Sequence, residues 1–386
     1  MKTTGTIPTN WLSISLIIFI ALAVVLSLWN ITATTHFGEI DFMGYWSATY
    51  LLSHGENPYS TVLMEAVERQ QAHSTLGVTL MAWNPPFLFV FLLPLAWMPF
   101  TVARFIWFLL NFITIITAGL MLARLYLPEE APRLKLIFLL FAIGFPAVLA
   151  GFYMGQVTFL VLWGLVACMS LIKKERWFWA GAVLILTAVK PHMAILPVIY
   201  LLAYMARRRQ FKGWIGLASA GLVCLIILFA FRPDLVHDLL GETTIAQVNW
   251  ATPTIGGLLS YLGVSEMARY LILLFLPVPL LLAIYPEKIN LELAVALLTL
   301  ITVPTTLFGW SYDQAVLLIP IAQVFGWLVR LKSRLPIIAA MACAIALNFY
   351  QRGVIINEVY YLWIPLFWGL LFGIVWYKVS LAKNYA

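Results

Sequence analysis

The chain has 386 residues, 63% of them hydrophobic and 10% charged, with a formal net charge of +7. A water-soluble domain of this composition would lack the polar surface needed to stay dissolved. Repeated apolar runs of roughly 15–20 residues or more predict an all-α polytopic membrane protein; barrel strands would alternate in polarity, and these runs do not.

Spans are predicted at 11–30, 101–125, 134–152, 156–172, 177–189, 192–206, 213–231, 266–284, 290–308, 313–330, 335–350 and 358–377, about twelve in all. Segment 11–29 is too long and too weakly flanked by basic residues for a cleaved signal peptide, and is read as the first span. Basic residues gather in alternate joins: Arg124, Arg133 and Lys135; Lys173, Lys174 and Arg176; Arg207–Arg209 and Lys212; Lys288; Arg330, Lys332 and Arg334; Lys378 and Lys383. The positive-inside rule makes these joins cytoplasmic. Most acids fall on the other face, so the net charge is an orientation signal and no nucleic-acid partner is expected. The expected setting is the plasma (inner) membrane, with the functional site on its extracytoplasmic face.

After the first span comes a long outer loop, 31–84, expected to carry structure. Residues 41–53 read as a helix ended by Gly55 and Pro58, and 60–72 as an amphipathic helix with Ser60 as its cap. Segment 85–99 is apolar but short and interrupted by prolines; counting it as a span would break the charge alternation. It is expected to be a re-entrant or interfacial helix. The same alternation splits 177–206 into two short helices meeting at Lys190-Pro191-His192, which places Lys190 at the outer end of a broken pair. A second outer loop, 232–265, carries Arg232, His237, Trp250 and Gly256-Gly257. Two modules are expected, 1–231 catalytic and 232–386 C-terminal.

The three cysteines, Cys168, Cys224 and Cys343, sit in apolar runs without CxxC spacing and are expected to pack between helices. The histidines show no metal-ligand spacing, so neither metal nor cofactor is expected. Asp41 lies where the first span gives way to an interfacial helix, a place where a carboxylate can take a proton from a sugar hydroxyl as a lipid-linked donor approaches. Glu39, two residues away, is an equal candidate by position. Lys190, an ionisable group at a proline break, suggests a phosphate contact by default. Arg104, at the outer start of a span, is a second phosphate candidate suited to bidentate contact. His192 adjoins the break and is expected to line the cavity. Asp313, in Phe308-Gly309-Trp310-Ser311-Tyr312-Asp313-Gln314, starts a span on the outer side; it reads as a helix cap or as part of a pocket closed by aromatic rings.

Several of these stretches form an ordered set. Asp41-x-x-x-Tyr45-Trp46-x-Ala48-x-x-Leu51-Leu52-x-x-Gly55-x-Asn57-Pro58-Tyr59 resembles the first-loop signature of glycosyltransferase family 87. Asn84-Pro85-Pro86-Phe87 with Pro94-Leu95, then Gly155-Gln156, then Lys190-Pro191 are similar to further elements of that family. The resemblance covers roughly 35–210. It implies a GT-C-type fold and an inverting, metal-independent transfer of one sugar, with mannose the expected sugar. The implied donor is a polyprenyl-phosphate sugar drawn from membrane lipid, and the implied acceptor a glycolipid or glycan. It further implies Asp41 as catalytic base, Tyr45, Trp46 and Tyr59 as residues shaping the acceptor site, and Gln156 as facing the same cavity. The competing reading is a lipid or sugar transporter or flippase. That would predict a transmembrane repeat and ionisable groups at mid-membrane, and the sequence shows neither.

Overall fold

The computed structural model of the chain describes residues 40–129, 132–242, 250–284, 289–331 and 357–384, with a few positions among the first 39. The expected span 335–350, half of the expected span 11–30, and Glu39 lie outside the described residues. Among the described residues all regular structure is helical, with no strand. Five helices among the described residues are long and apolar enough to cross a membrane, or six if one bent pair counts as a single span, and five shorter apolar helices accompany them. The protein is therefore a multi-pass membrane protein.

The described part of the first long loop, 40–84, is structured as expected. Helix α1, Ile40–Ser53, is buried along most of its length, and Trp46 ties it to the later 87–96 helix by donating Nε1–H to the Leu95 carbonyl at 3.0 Å. The chain turns away at Gly55, whose φ of +74° suits glycine, and Asn57 accepts the Tyr59 N–H at 2.9 Å. Helix α2, Thr61–Gln70, is capped by Ser60. An extended segment then leads to α3, Phe87–Ala96, which contains Pro94. Ten residues rise only about 15 Å, too little to cross a hydrocarbon core about 30 Å thick.

Helix α4, Phe100–Tyr126, shows how such a chain meets lipid. Ala103, Trp107, Asn111, Ile115, Ala118 and Leu122 recur every three or four residues on its buried face, while Val102, Phe105, Leu109 and Ile113 are exposed. A helix apolar on both faces belongs in a membrane. The segment expected as one span at 134–152 is instead two helices, α5 (Pro132–Gly144) and α6 (Pro146–Met154), bent by 46°. Pro146 explains the break: it has no N–H to continue the ladder and disfavours a helical Phe145, which is extended at ψ 130°. Helix α7, Thr158–Lys173, follows, and α8, Trp177–Ala182, tightens into a 3₁₀ turn, Val183–Val189. The chain then breaks at Lys190 and restarts as α9, Ile195–Arg207, so the expected interruption at the Lys-Pro pair is present.

Helix α10, Phe211–Phe231, buries only four residues, two of them Gly213 and Gly216, whose missing side chains admit the backbone of α8. Beyond it lie α11 (Leu235–Glu242), α12 (Ile255–Tyr261), α13 (Pro277–Ile284) and α14 (Leu291–Thr305). A 3₁₀ stretch, Ser311–Leu317, runs into α15, Leu318–Arg330, and almost every residue of Ser311–Leu328 is buried. This is the central pillar. Its 3₁₀ start packs against α6 and α7, its helical part against α4 and α14, and α16 (Trp363–Asn384) covers its flank.

Candidate active site

The pillar's first turn, the Lys190 break, α1 and the extended segment before α3 enclose a partly open cavity of about 510 Å³. Asp41, Tyr45, Lys190, His192 and Asp313 all line it, with Trp83, Asn84, Trp250, Phe308, Trp310 and Tyr312. On α1, Asp41 and Tyr45 are four residues apart and so share a face.

Lys190 is buried, and its Nζ donates to Asp313 Oδ1 at 2.7 Å and to Gln156 Oε1 at 2.8 Å, with the Tyr312 ring centroid 5.0 Å away. Its main chain is fixed from both sides. Asn84 Nδ2 donates to the Val189 carbonyl at 3.0 Å, and Thr306 Oγ1 donates to the His192 carbonyl at 3.1 Å. Asp313 also accepts from Thr158 Oγ1 and from the Trp310 N–H. It therefore combines the two roles open from its sequence position, capping the turn and lining the pocket, and it also pairs with Lys190, which the sequence reading did not anticipate.

Asp41 is engaged more lightly, accepting from Gln156 Nε2 and from the Tyr312 hydroxyl. Burial pushes its carboxyl up to about 6. The Lys190 charge and the two hydrogen bonds pull back only part of that rise, and the neighbouring Asp313 adds to it. A carboxylate held near neutrality on a cavity wall suits proton abstraction better than one already saturated by donors, as Asp313 is.

Other expected site residues lie elsewhere. Trp46 is rotated off the cavity face and packs against Phe100 and Leu95. Tyr59 is fully buried and donates to the Asn84 carbonyl at 3.3 Å, so it braces the residue that holds Val189. Gln156 is fully buried behind the wall rather than on it. The Arg104 guanidinium lies over the Phe37 and Phe100 rings, outside the lining. Trp310 and Tyr312 line the pocket that the sequence reading expected their segment's aromatic rings to close, whereas Trp250 has no role in that reading. Trp250 and Trp310 approach to 5.4 Å between ring centroids, pairing the segment before α12 with the pillar's start.

No curated protein and no solved structure matches the chain. The model of glycosyltransferase family 87 matches residues 83–317, which include Asn84, Gln156, Lys190 and Asp313. Asp41 precedes the matched stretch and joins it through Gln156 and Tyr312. With well over half its length matched, the chain belongs to glycosyltransferase family 87 and is a membrane glycosyltransferase.

Proposed function

We propose that the protein moves one sugar, mannose, from a polyprenyl-phosphate donor to a hydroxyl of a glycolipid or glycan acceptor, with inversion. The observation that carries this reading is that Asp41 and Lys190, an acid and a cation from distant segments, line one cavity. Asp41 takes the proton of the acceptor hydroxyl, and the resulting oxygen bonds to the anomeric carbon. The bond from that carbon to the phosphate oxygen breaks through an oxocarbenium-like transition state, and its electron pair leaves with the lipid phosphate. Lys190 stabilises that developing charge in a site where water is scarce. In this reading the step is metal-independent, with the Lys190 ammonium meeting the charge that develops on the phosphate.

Arg104, outside the cavity, meets the donor's phosphate only as the lipid approaches. Tyr45, His192 and the aromatic rings of the wall shape the sugar sites. Residues 1–231 supply base and cation, while 232–386 close the cavity with Trp250, Tyr312 and Asp313. The shorter apolar helices other than α3, together with the expected spans 11–30 and 335–350, complete about twelve crossings of a GT-C arrangement, with the basic joins in the cytoplasm and the cavity on the extracytoplasmic face.

The test is the purified full chain in liposomes with labelled polyprenyl-phosphate mannose and an extract of envelope glycans. The expected result is label passing into the glycan fraction, abolished in Asp41→Asn. Label that stays bound and unconsumed, or an Asp41→Asn variant working at the wild-type rate, overturns the reading.

A further inference from the structure

Gln156 occupies the short link between α6 and α7, and its backbone is fixed with unusual thoroughness. Gly155 caps α6 at φ +74°, where a Cβ would fall 2.7 Å from Phe42 Cβ and 2.8 Å from the Gly38 carbonyl oxygen. From α4, Trp107 Nε1 donates to the Gly155 carbonyl at 2.8 Å and Asn111 Nδ2 to the Gln156 carbonyl at 3.1 Å. Two buried polar side chains of a lipid-facing helix are thus spent on holding one loop.

The side chain is equally engaged. Its Nε2 donates to Asp41 Oδ2, while its Oε1 accepts from Lys190 Nζ at 2.8 Å and from the Tyr45 hydroxyl at 3.3 Å. Charge fixes the amide's sense: flipped, it would set its carbonyl against a carboxylate and its NH₂ against an ammonium. Lys190 is anchored in turn by Asp313.

We propose that Gln156 is a positioning residue, held by Lys190, that orients the Asp41 carboxylate and sets its readiness to take a proton. This rests on the reading of Asp41 as the base. The groups facing Asp41 are Gln156, Tyr312, Tyr45, Lys190 and Asp313. Of these, Gln156 gives it a neutral N–H donor that favours the ionised form. Removing that donor, or replacing it by a second carboxylate, makes Asp41 hold its proton to higher pH.

The experiment compares wild type with Gln156→Met and Gln156→Glu, reconstituted as full chains. Consumption of polyprenyl-phosphate mannose is followed against pH. In parallel, an infrared titration without substrate follows the Asp41 carboxyl band, assigned by its loss in Asp41→Asn. The expected result is an upward shift of both the acid limb and the band, by about one pH unit or more. The band needs no turnover, so an inactive variant still reports. Loss of activity with an unmoved or lowered titration overturns the proposal. An Asp41→Asn protein that still transfers sugar removes the reading of the base itself, a separate failure.

Discussion

Lys190 Nζ lies 2.7 Å from Asp313 Oδ1, joining two points 123 residues apart, and both side chains are buried. Removing one partner of a buried pair strands the other, at a typical cost of about 3–5 kcal/mol. Lys190→Met is therefore expected to lower the unfolding temperature sharply. Lys190→Met combined with Asp313→Asn is expected to regain a good part of the loss, because no charge is left unpaired. Transfer stays lost in both, since the donor phosphate has no cation to meet. Thermal unfolding in detergent checks the coupling. A double variant as unstable as the sum of the singles would mean that the pair does not act as a unit.

The Asp41 carboxyl, pushed up to about 6 by burial, predicts the acid side of the rate profile. A base works ionised, so activity is expected to rise with pH through about 6 and level off above it. Asp41→Asn is expected to lose about 10²–10⁴-fold in rate. Stability runs the other way. With its folded value above the ordinary carboxylate range, Asp41 favours the fold at pH below about 3.8, and this contribution is lost as pH rises through about 6. At pH 7–8 the asparagine variant is thus expected to be as stable as wild type or more so. A rate profile flat through pH 5–7 would separate Asp41 from the chemistry.

Much of this arrangement is legible in the sequence, and the limits are physical. The Asp41–Tyr45 spacing is one helical turn, so both reach the cavity, whereas Trp46, one residue on, is turned by about 100° toward Leu95 and Phe100. Periodicity fixes which residues share a face, but not which face meets the cavity. The Lys-Pro break and the shortness of 85–99 follow from proline chemistry and length, and both appear. Tyr59 sits in a motif that carries the family resemblance and Arg104 at the start of a span, yet the structure sets Tyr59 under Asn84 and Arg104 over Phe37 and Phe100. Trp250 becomes a wall residue only because an outer loop folds back onto the pillar, a long-range contact with no local signal.

Glu68 offers a prediction away from the chemistry. It is 2% exposed, and its carboxylate accepts the Leu80 N–H at 3.0 Å, pinning the extended segment that forms one side of the cavity. Burial raises it to about 7, against the opposing pull of that hydrogen bond. Its contribution to stability is complete below about pH 4.5 and disappears as pH rises through about 7. Glu68→Gln keeps an acceptor oxygen without the charge, and is expected to be the more stable protein above pH 7. Glu68→Leu leaves the Leu80 N–H without its partner, at about 1–3 kcal/mol. Unfolding midpoints of the three proteins at pH 5 and pH 8 test the order.

Gly44 sits on α1 against the same segment, and the two effects of giving it a side chain oppose each other. Alanine in a helix interior is favoured over glycine by about 1 kcal/mol. At this position, however, the new Cβ would overlap the Leu80 carbonyl, a backbone group whose own N–H is held by Glu68. A flexible side chain could move aside; this stretch of main chain cannot move without carrying Thr79 and Met81, which also line the cavity. Overpacking of this kind costs about 1–3 kcal/mol, so strain outweighs propensity. Gly44→Ala is expected to lower the unfolding temperature and to raise KM for the lipid-linked donor through the displaced wall, leaving Asp41 and Lys190 in place. An unfolding temperature above wild type would show that the segment yields freely, and that α1 and the cavity wall are less tightly joined than the Gly44–Leu80 contact requires.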